Sequence, residues 1–168
     1  MGTDRLQKRG HLLPRLLGAL PEAELHLVGR FGPRFLRLFA PFAGRVSPCG
    51  VLSGDALAAA YAHADVVVHP SVGEAFGLVP FEAALAGTAA VVAGGHGCGE
   101  WYGRAGGCVV APDDLAALTH AVQVRLAQPA LGKGEAEAVA AFTRDQLTWE
   151  RAAVAIESLY YDVRGDRP

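Results

Sequence analysis

Glu74 and Glu82 stand eight positions apart in the run HPSVGEAFGLVPFEAALAG, residues 69–87, around an apolar, glycine-containing turn. A carboxylate in a loop can accept hydrogen bonds from sugar hydroxyls. One placed about a turn into a helix can grip a ribose diol, as the acidic residue of dinucleotide folds does. On spacing alone a plainer pair of roles is favoured, because carboxylates this far apart occur by chance in most helical proteins. Glu74 would then cap a helix and favour its dipole, and Glu82 would be a solvated helix glutamate.

The elements that must position these groups are legible around them. Val66–Val68 is a continuous apolar run, as expected of a strand buried on both faces of a parallel sheet, and His69, Pro70, Ser71 and Gly73 end it. Phe76-Gly77-Leu78-Val79-Pro80 opens a helix, since proline fits only the first turn, and Phe81, Ala84 and Leu85 continue an apolar face. That helix starts at the carboxyl end of a parallel strand. Open α/β sheets bind ligands there, where unpaired N–H groups and the helix dipole favour phosphate oxygens.

The literal string resembles the family-4 glycosyltransferases and their GT-B-fold relatives, on Pro70-Ser71, Glu74, Phe76-Gly77, Glu82-Ala83 and Gly87. The likeness extends over nearly the whole chain: Leu25–Gly29 with Gly32-Pro33, Tyr61–Val66, Gly97-Cys98-Gly99-Glu100, and Thr148-Trp149-Glu150 with Leu159-Tyr160. It implies a retaining transferase that moves a sugar from a UDP- or GDP-sugar to an acceptor hydroxyl, with no metal and no other cofactor. By that resemblance Glu74 and Lys8 are the catalytic residues, and Glu82, Phe76, Gly77, Leu78, Val79 and Arg5 bind the donor. Lys8-Arg9-Gly10 resembles the lysine segment that holds the donor diphosphate, where positive charge helps it leave. Arg5 lies closer to Lys8 than the family's arginine does, and a basic chain terminus is the simple alternative for both.

A chain of 168 residues, 51% hydrophobic, suits a single domain with a substantial core. The net charge of −2 makes nucleic acid an unfavourable partner. Arg5, Lys8, Arg9, Arg15, Arg30, Arg34, Arg37 and Arg45 gather ahead of the main motif, as a solvated basic face or a phosphate-facing edge. Cys49, Cys98 and Cys108 are odd in number and lack metal-ligand spacing, which predicts reduced, mostly buried thiols in a cytoplasmic protein. The longest apolar stretch, Ala83–Ala93, is too short to span a bilayer, and the first residues carry no hydrophobic signal core.

Short apolar strands alternate with helices, which predicts a Rossmann-like parallel sheet flanked by helices. Strands are expected at Leu25–Val28, Arg45–Cys49, Ala89–Ala93 and Cys108–Ala111, and helices over 12–20, 35–42, 55–63, 113–127 and 148–162, with Ser53 or Asp55 as one N-cap. A glycine-rich loop is expected from Gly94 to Gly99, and Gln128–Gly134 reads as linker. Asp113-Asp114 reads as an N-cap ahead of Leu115, Trp101 and Tyr102 as aromatic packing, Glu100 as structural, and His69 as a hydrogen-bonded structural histidine.

The resemblance covers only the C-terminal, donor-binding half of a GT-B enzyme. Residues 1–168 are then one donor-binding domain without the N-terminal acceptor domain, and even its first strand is expected to be lost, since only Met1–Asp4 precede the basic segment. Two readings remain open: a donor half whose transfer depends on an acceptor-domain partner chain, or a non-catalytic nucleotide-sugar binding module. A nucleotide-sugar epimerase of the same fold fits the strings less well.

Overall fold

Each apolar run becomes a parallel strand, and the stretches between runs become helices. The computed structural model describes residues 2, 3 and 5–165. Its first part holds β1 (Gly2–Thr3), α1 (Leu13–Ala19), β2 (Leu25–Arg30), α2 (Pro33–Leu36), β3 (Val46–Gly50) and α3 (Gly54–Ala62). Then follow β4 (Val67–His69), α4 (Val79–Leu85), β5 (Ala90–Ala93), α5 (Gly97–Arg104), β6 (Cys108–Val110), α6 (Leu115–Ala127), α7 (Pro129–Gln146) and α8 (Trp149–Arg164). Short 3₁₀ turns at Leu6–Lys8 and Gly10–Leu12 lead into α1.

The strands form two three-stranded sheets, β1-β2-β3 and β4-β5-β6, in which every pairing is parallel. The sheets are joined just beyond the carboxyl ends of β1 and β4. There the Val72 N–H donates to the Gln7 carbonyl at 2.8 Å, and Ser71 Oγ lies 3.2 Å from the same oxygen. In open α/β folds the crevice that binds ligand lies at such a place, outside the carboxyl ends of the strands.

β5 shows why helices cover both faces of the second sheet. Its side chains alternate with a period of two. Val91 packs with Leu16 of α1, with Leu20 just after that helix and with Leu118, Ala121 and Val122 of α6, whereas Ala90 and Val92 pack with Phe81, Ala84, Cys98, Tyr102 and Val139 on the other side. The Tyr102 hydroxyl, fully buried, accepts the Ala90 N–H at 2.9 Å, so its polar end is satisfied within the core. In the first sheet Leu27 packs with Phe35 and Phe39.

Several expectations need correction. Gln128–Gly134 is not a linker but the start of α7, with Pro129 in its first turn. Buried Ala136, Val139 and Ala140 recur at helical spacing, and Glu135 takes a two-pronged hydrogen bond from buried Arg125 of α6 at 2.8 and 2.5 Å. These contacts outweigh the roughly 1 kcal/mol that each of Gly132 and Gly134 costs a helix. The glycine-rich stretch after β5 holds α5. The helix expected over 35–42 is shared between α2 and a 3₁₀ segment, Arg37–Arg45, kinked at Phe42 beside Pro41. The first strand is shortened, not lost: Gly2 and Thr3 pair with Gly29 and Arg30. Met1 and Asp4, also assigned to that remnant, lie outside the described residues.

Polar assignments shift as well. Ser53 occupies the N-cap of α3 without a side-chain hydrogen bond. Asp114, not Asp113, caps α6, accepting the Ala117 N–H at 2.8 Å. Arg45 belongs to neither a solvated face nor a phosphate edge. Its guanidinium donates to the carbonyls of Leu17, Leu20 and Ala23 at 2.7–3.2 Å and so closes the end of α1. All three cysteines are free, but only Cys98 is buried.

Candidate functional site

The loop between β4 and α4 and the 3₁₀ turn after β1 meet at the crevice, and the charged residues of the two segments pair. Lys8 Nζ donates to Glu74 Oε1, and Ser71 Oγ donates to the same oxygen at 2.6 Å. Burial alone would raise the Glu74 pKa. The hydrogen bonds from Lys8 and Ser71 outweigh it and hold the carboxyl below its usual range, so Glu74 is ionised at neutral pH. Neither helix capping nor free solvation describes it: the N-cap of α4 is Leu78, which acts without its side chain.

Glu82 lies in the first turn of α4 and is half-buried. The Tyr61 hydroxyl on α3 donates to its Oε2 at 2.8 Å. Burial, and then this hydrogen bond, push the phenol well above its ordinary pKa, so it stays a donor. A carboxylate oriented in this way is no longer an ordinary surface glutamate.

The turn between the two glutamates is shaped by contacts that admit little substitution. Phe76 stacks on Phe81 at 4.9 Å between ring centres and leans on Trp101 at 6.4 Å. Gly77 has φ +75°, and a Cβ there would lie 2.8 Å from Cys98 Sγ. Leu78 is exposed, and its carbonyl accepts the N–H groups of Phe81 and Glu82 at 3.0 and 2.9 Å. Val79 is the first residue of α4. The start of α5 presses on this turn from the other side. His96 Nε2 lies 2.8 Å from the Ser71 carbonyl oxygen and Nδ1 lies 3.3 Å from that of Glu74. A Cβ on Gly97 would come within 1.9 Å of the Ala75 carbonyl oxygen. Beside it an open cleft of about 390 Å³ is lined by Gly94, Gly95, His96, Gly97, Gly99 and Glu100.

The structure therefore unites Lys8 with Glu74, places Phe76 and Gly77 on the same loop, and orients Glu82 separately through Tyr61. Arg5 stays outside. It is exposed at the cap of the first 3₁₀ turn, where its carbonyl accepts the Lys8 N–H at 2.9 Å, and its side chain joins no ion pair among the described residues. Arg9 pairs instead with Asp113 beyond β6, and among the described residues these two are the non-glycine residues with left-handed φ, +49° and +65°. His69 ends β4 at 2% exposure. Burial above all lowers its pKa to about 4, and its Nε2 has no partner among the described residues, which corrects the expected hydrogen-bonded histidine. Among the described residues no cluster of three His, Cys, Asp or Glu side chains is placed to hold a metal ion, and no helix is long and apolar enough to cross a membrane.

Sequence reasoning gave no role to the side chains of Tyr61, Ser71 and His96. Ser71 had one local signal, a hydroxyl three residues before a carboxylate. Tyr61 and His96 had none, because their partners lie 21 to 25 positions away and His96 bonds only to main chain.

Residues 10–128 match the family described as glycosyl transferases group 1. The lipopolysaccharide core biosynthesis mannosyltransferase LpcC of Rhizobium leguminosarum bv. viciae is 38% identical over 108 residues, covering 63% of this chain and 30% of that protein. Among solved structures, sucrose-phosphate synthase from Thermosynechococcus elongatus superposes with a TM-score of 0.82 at 28% identity, over 96% of this chain and 43% of the other. Anabaena HepE in complex with UDP-glucose superposes with a TM-score of 0.78 at 22% identity, over 95% of this chain and 48% of the other, a likeness of fold. The chain thus spans less than half the length of these relatives, and the fold is that of GT-B glycosyltransferases. With its sheets, its crevice and its sequence all in agreement, the chain belongs to the group 1 glycosyl transferase family.

Proposed function

We propose that this chain is the C-terminal, donor-binding half of a retaining glycosyltransferase that uses a nucleoside diphosphate-sugar without a metal ion. The observation that carries the reading is the Lys8–Glu74 pair at the carboxyl ends of β1 and β4, with Glu82 oriented on the adjoining helix. Family membership supports the transferase class, and the UDP-glucose bound by HepE supports a nucleotide-sugar ligand.

In this reading an arriving diphosphate competes with Glu74 for Lys8. The ammonium then meets the charge that grows on the departing phosphate, and Glu74 turns to the sugar hydroxyls. The bond between anomeric carbon and phosphate oxygen breaks, and the acceptor oxygen bonds to the same face of the sugar. The acceptor proton leaves with the phosphate. Glu82, aimed by Tyr61, holds the ribose diol. The acceptor comes from a second domain, and α8, the counterpart of the family's closing helix, leads toward it. The mutual engagement of Lys8 and Glu74 favours one other reading, a binding module that recognises the nucleotide sugar without transferring it.

Calorimetry with a panel of UDP- and GDP-sugars tests the donor site. We expect one class of nucleotide sugar to bind, and Glu82→Ala to weaken it about tenfold or more, the usual loss for a charged hydrogen bond. Well-folded protein that binds none of the panel refutes the reading. Transfer activity is expected only with an acceptor domain added, and its absence even then favours the binding module.

A further inference from the structure

We propose that His96 positions the Glu74 loop as an imidazolium ion, so that sugar binding at this site is coupled to protonation of that ring. The proposal rests on the donor-site reading for its consequence but not for its geometry. Both ring nitrogens face main-chain carbonyl oxygens, Nε2 that of Ser71 at 2.8 Å and Nδ1 that of Glu74 at 3.3 Å. A carbonyl oxygen only accepts hydrogen bonds. Both contacts are hydrogen bonds at once only if both nitrogens carry a hydrogen, which is true of the cation and of neither neutral tautomer. Deprotonation turns one of the two bonds into an unfavourable meeting of lone pairs.

The two carbonyls bracket the turn that presents Glu74. Between them Gly73 takes φ +74°, a conformation few residues adopt, and nothing would touch a Cβ placed on it. The tip of the turn is thus open, and beside the contacts of Ser71 and Val72 with Gln7 it is His96 that ties its two ends together. The histidine itself is well anchored at the N-cap of α5, where Gly97 sits directly on the Ala75 carbonyl and the Glu100 N–H returns to the His96 carbonyl at 3.0 Å. In the tied conformation Ser71 and Lys8 both reach Glu74 Oε1.

The surrounding charges are compatible with a cation. Glu74 on the tied loop attracts it, and Lys8, which would repel it, is engaged by Glu74. His69 on β4 is kept uncharged by burial and adds no like charge at neutral pH. Glu100, on α5 itself, is exposed and lies near Arg104 at 3.9 Å. Histidine is the side chain whose ordinary change of protonation falls between pH 6 and 8.

Long-range ¹⁵N NMR of the unliganded chain reads the ring directly, with His96→Gln giving the assignment. The expected result is two protonated ring nitrogens at pH 6 and loss of one proton on raising the pH. Protection factors at Gly73–Ala75, which remove the intrinsic rise of exchange with pH, should then fall by roughly two- to tenfold, the worth of one hydrogen bond. UDP-glucose and GDP-mannose serve as binding probes. The affinity of whichever binds should fall by about the same factor from pH 6 to 8 in the wild type and stay level in His96→Gln. A neutral single tautomer throughout that range, or an unchanged pH profile in His96→Gln, overturns the proposal. If neither probe binds, the donor-site reading fails, and the ring protonation and loop exchange still decide the role of His96.

Discussion

Lys8 and Glu74 are 66 positions apart in the chain, yet they meet because β1 and β4 end side by side. Each was legible in the sequence as a residue of the right type, but their pairing depends on the crevice. Ser71 left one local signal, its place three residues before the carboxylate it bonds, whereas His96 left none, because hydrogen bonds to main-chain carbonyls leave no signature in residue type. His69 shows what the neighbourhood does to a titratable group. It holds a proton only near pH 4 in the fold, against 6.5 ordinarily, because burial penalises the cation. Between those values the unfolded chain binds more protons than the native state, so stability falls as the pH drops through that window and is level above it. The full effect is at most about 3 kcal/mol. Glu74 works in a separate window. Its lowered pKa contributes stability at and above the usual 4.5, which is lost only as the pH falls further. Urea titrations between pH 4.5 and 7.5 separate the two. The wild type should weaken on acidification, and His69→Phe, which replaces a ring whose Nε2 has no partner among the described residues, should remove most of that slope. A wild-type curve that is flat over this range would show that His69 is not held neutral.

At the scale of elements, strands and most helix centres followed from hydrophobic period, whereas α5 and the whole of α7 did not: α5 and the first turns of α7 are rich in glycine, and no element was expected over 135–146. Glycine lowers helix propensity wherever it stands, but the reason for its presence differs. In α5, Gly97 and Gly99 let the helix approach neighbouring main chain, at Ala75 in one case and at Ala93 and Gly94 in the other. In α7, Gly134 faces open space, and nothing lies within 4 Å of a Cβ built there. The same substitution should therefore act in opposite directions. Gly97→Ala forces a methyl into a carbonyl oxygen that cannot retreat without moving the Glu74 loop, and should cost about 1–3 kcal/mol. Gly134→Ala should stabilise by about 0.5–1 kcal/mol, because the helix keeps its geometry and the unfolded chain loses freedom. Equilibrium denaturation of the two variants measures both. Equal effects would mean that the close approach of α5 to the loop does not constrain it.

The molecule as a whole is held by three packed clusters, and α8 belongs to none of them. The parallel sheet arrangement was legible because each apolar strand is followed by a helix-length segment, and parallel strands require such crossovers. The position of α8 was not, since its sequence is as amphipathic as that of a packed helix: Trp149, Ile156, Leu159 and Val163 recur at spacings of seven, three and four residues. Every residue of it is exposed, Trp149 to 88%. Thr148 caps its start, accepting the Arg151 N–H at 3.2 Å, but a helix of 16 residues without tertiary packing is only marginally stable in water. In contrast, α7 buries Ala136, Val139 and Ala140 and is tied to α6 through the Arg125–Glu135 pair. Its amides can exchange only when those contacts open, whereas those of α8 need only the local helix–coil step. Hydrogen exchange of the isolated chain should therefore divide sharply at Leu147, with the centre of α7 protected by several kcal/mol and α8 close to the unfolded rate. Replacing Ile156 and Leu159 by serine should leave the unfolding midpoint of the chain unchanged within about 0.5 kcal/mol, as for other exposed substitutions. Protection of α8 equal to that of α7 in dilute solution would mean that its apolar stripe is covered there. The serine variant would then lose that protection, which would show that the stripe itself makes the contact.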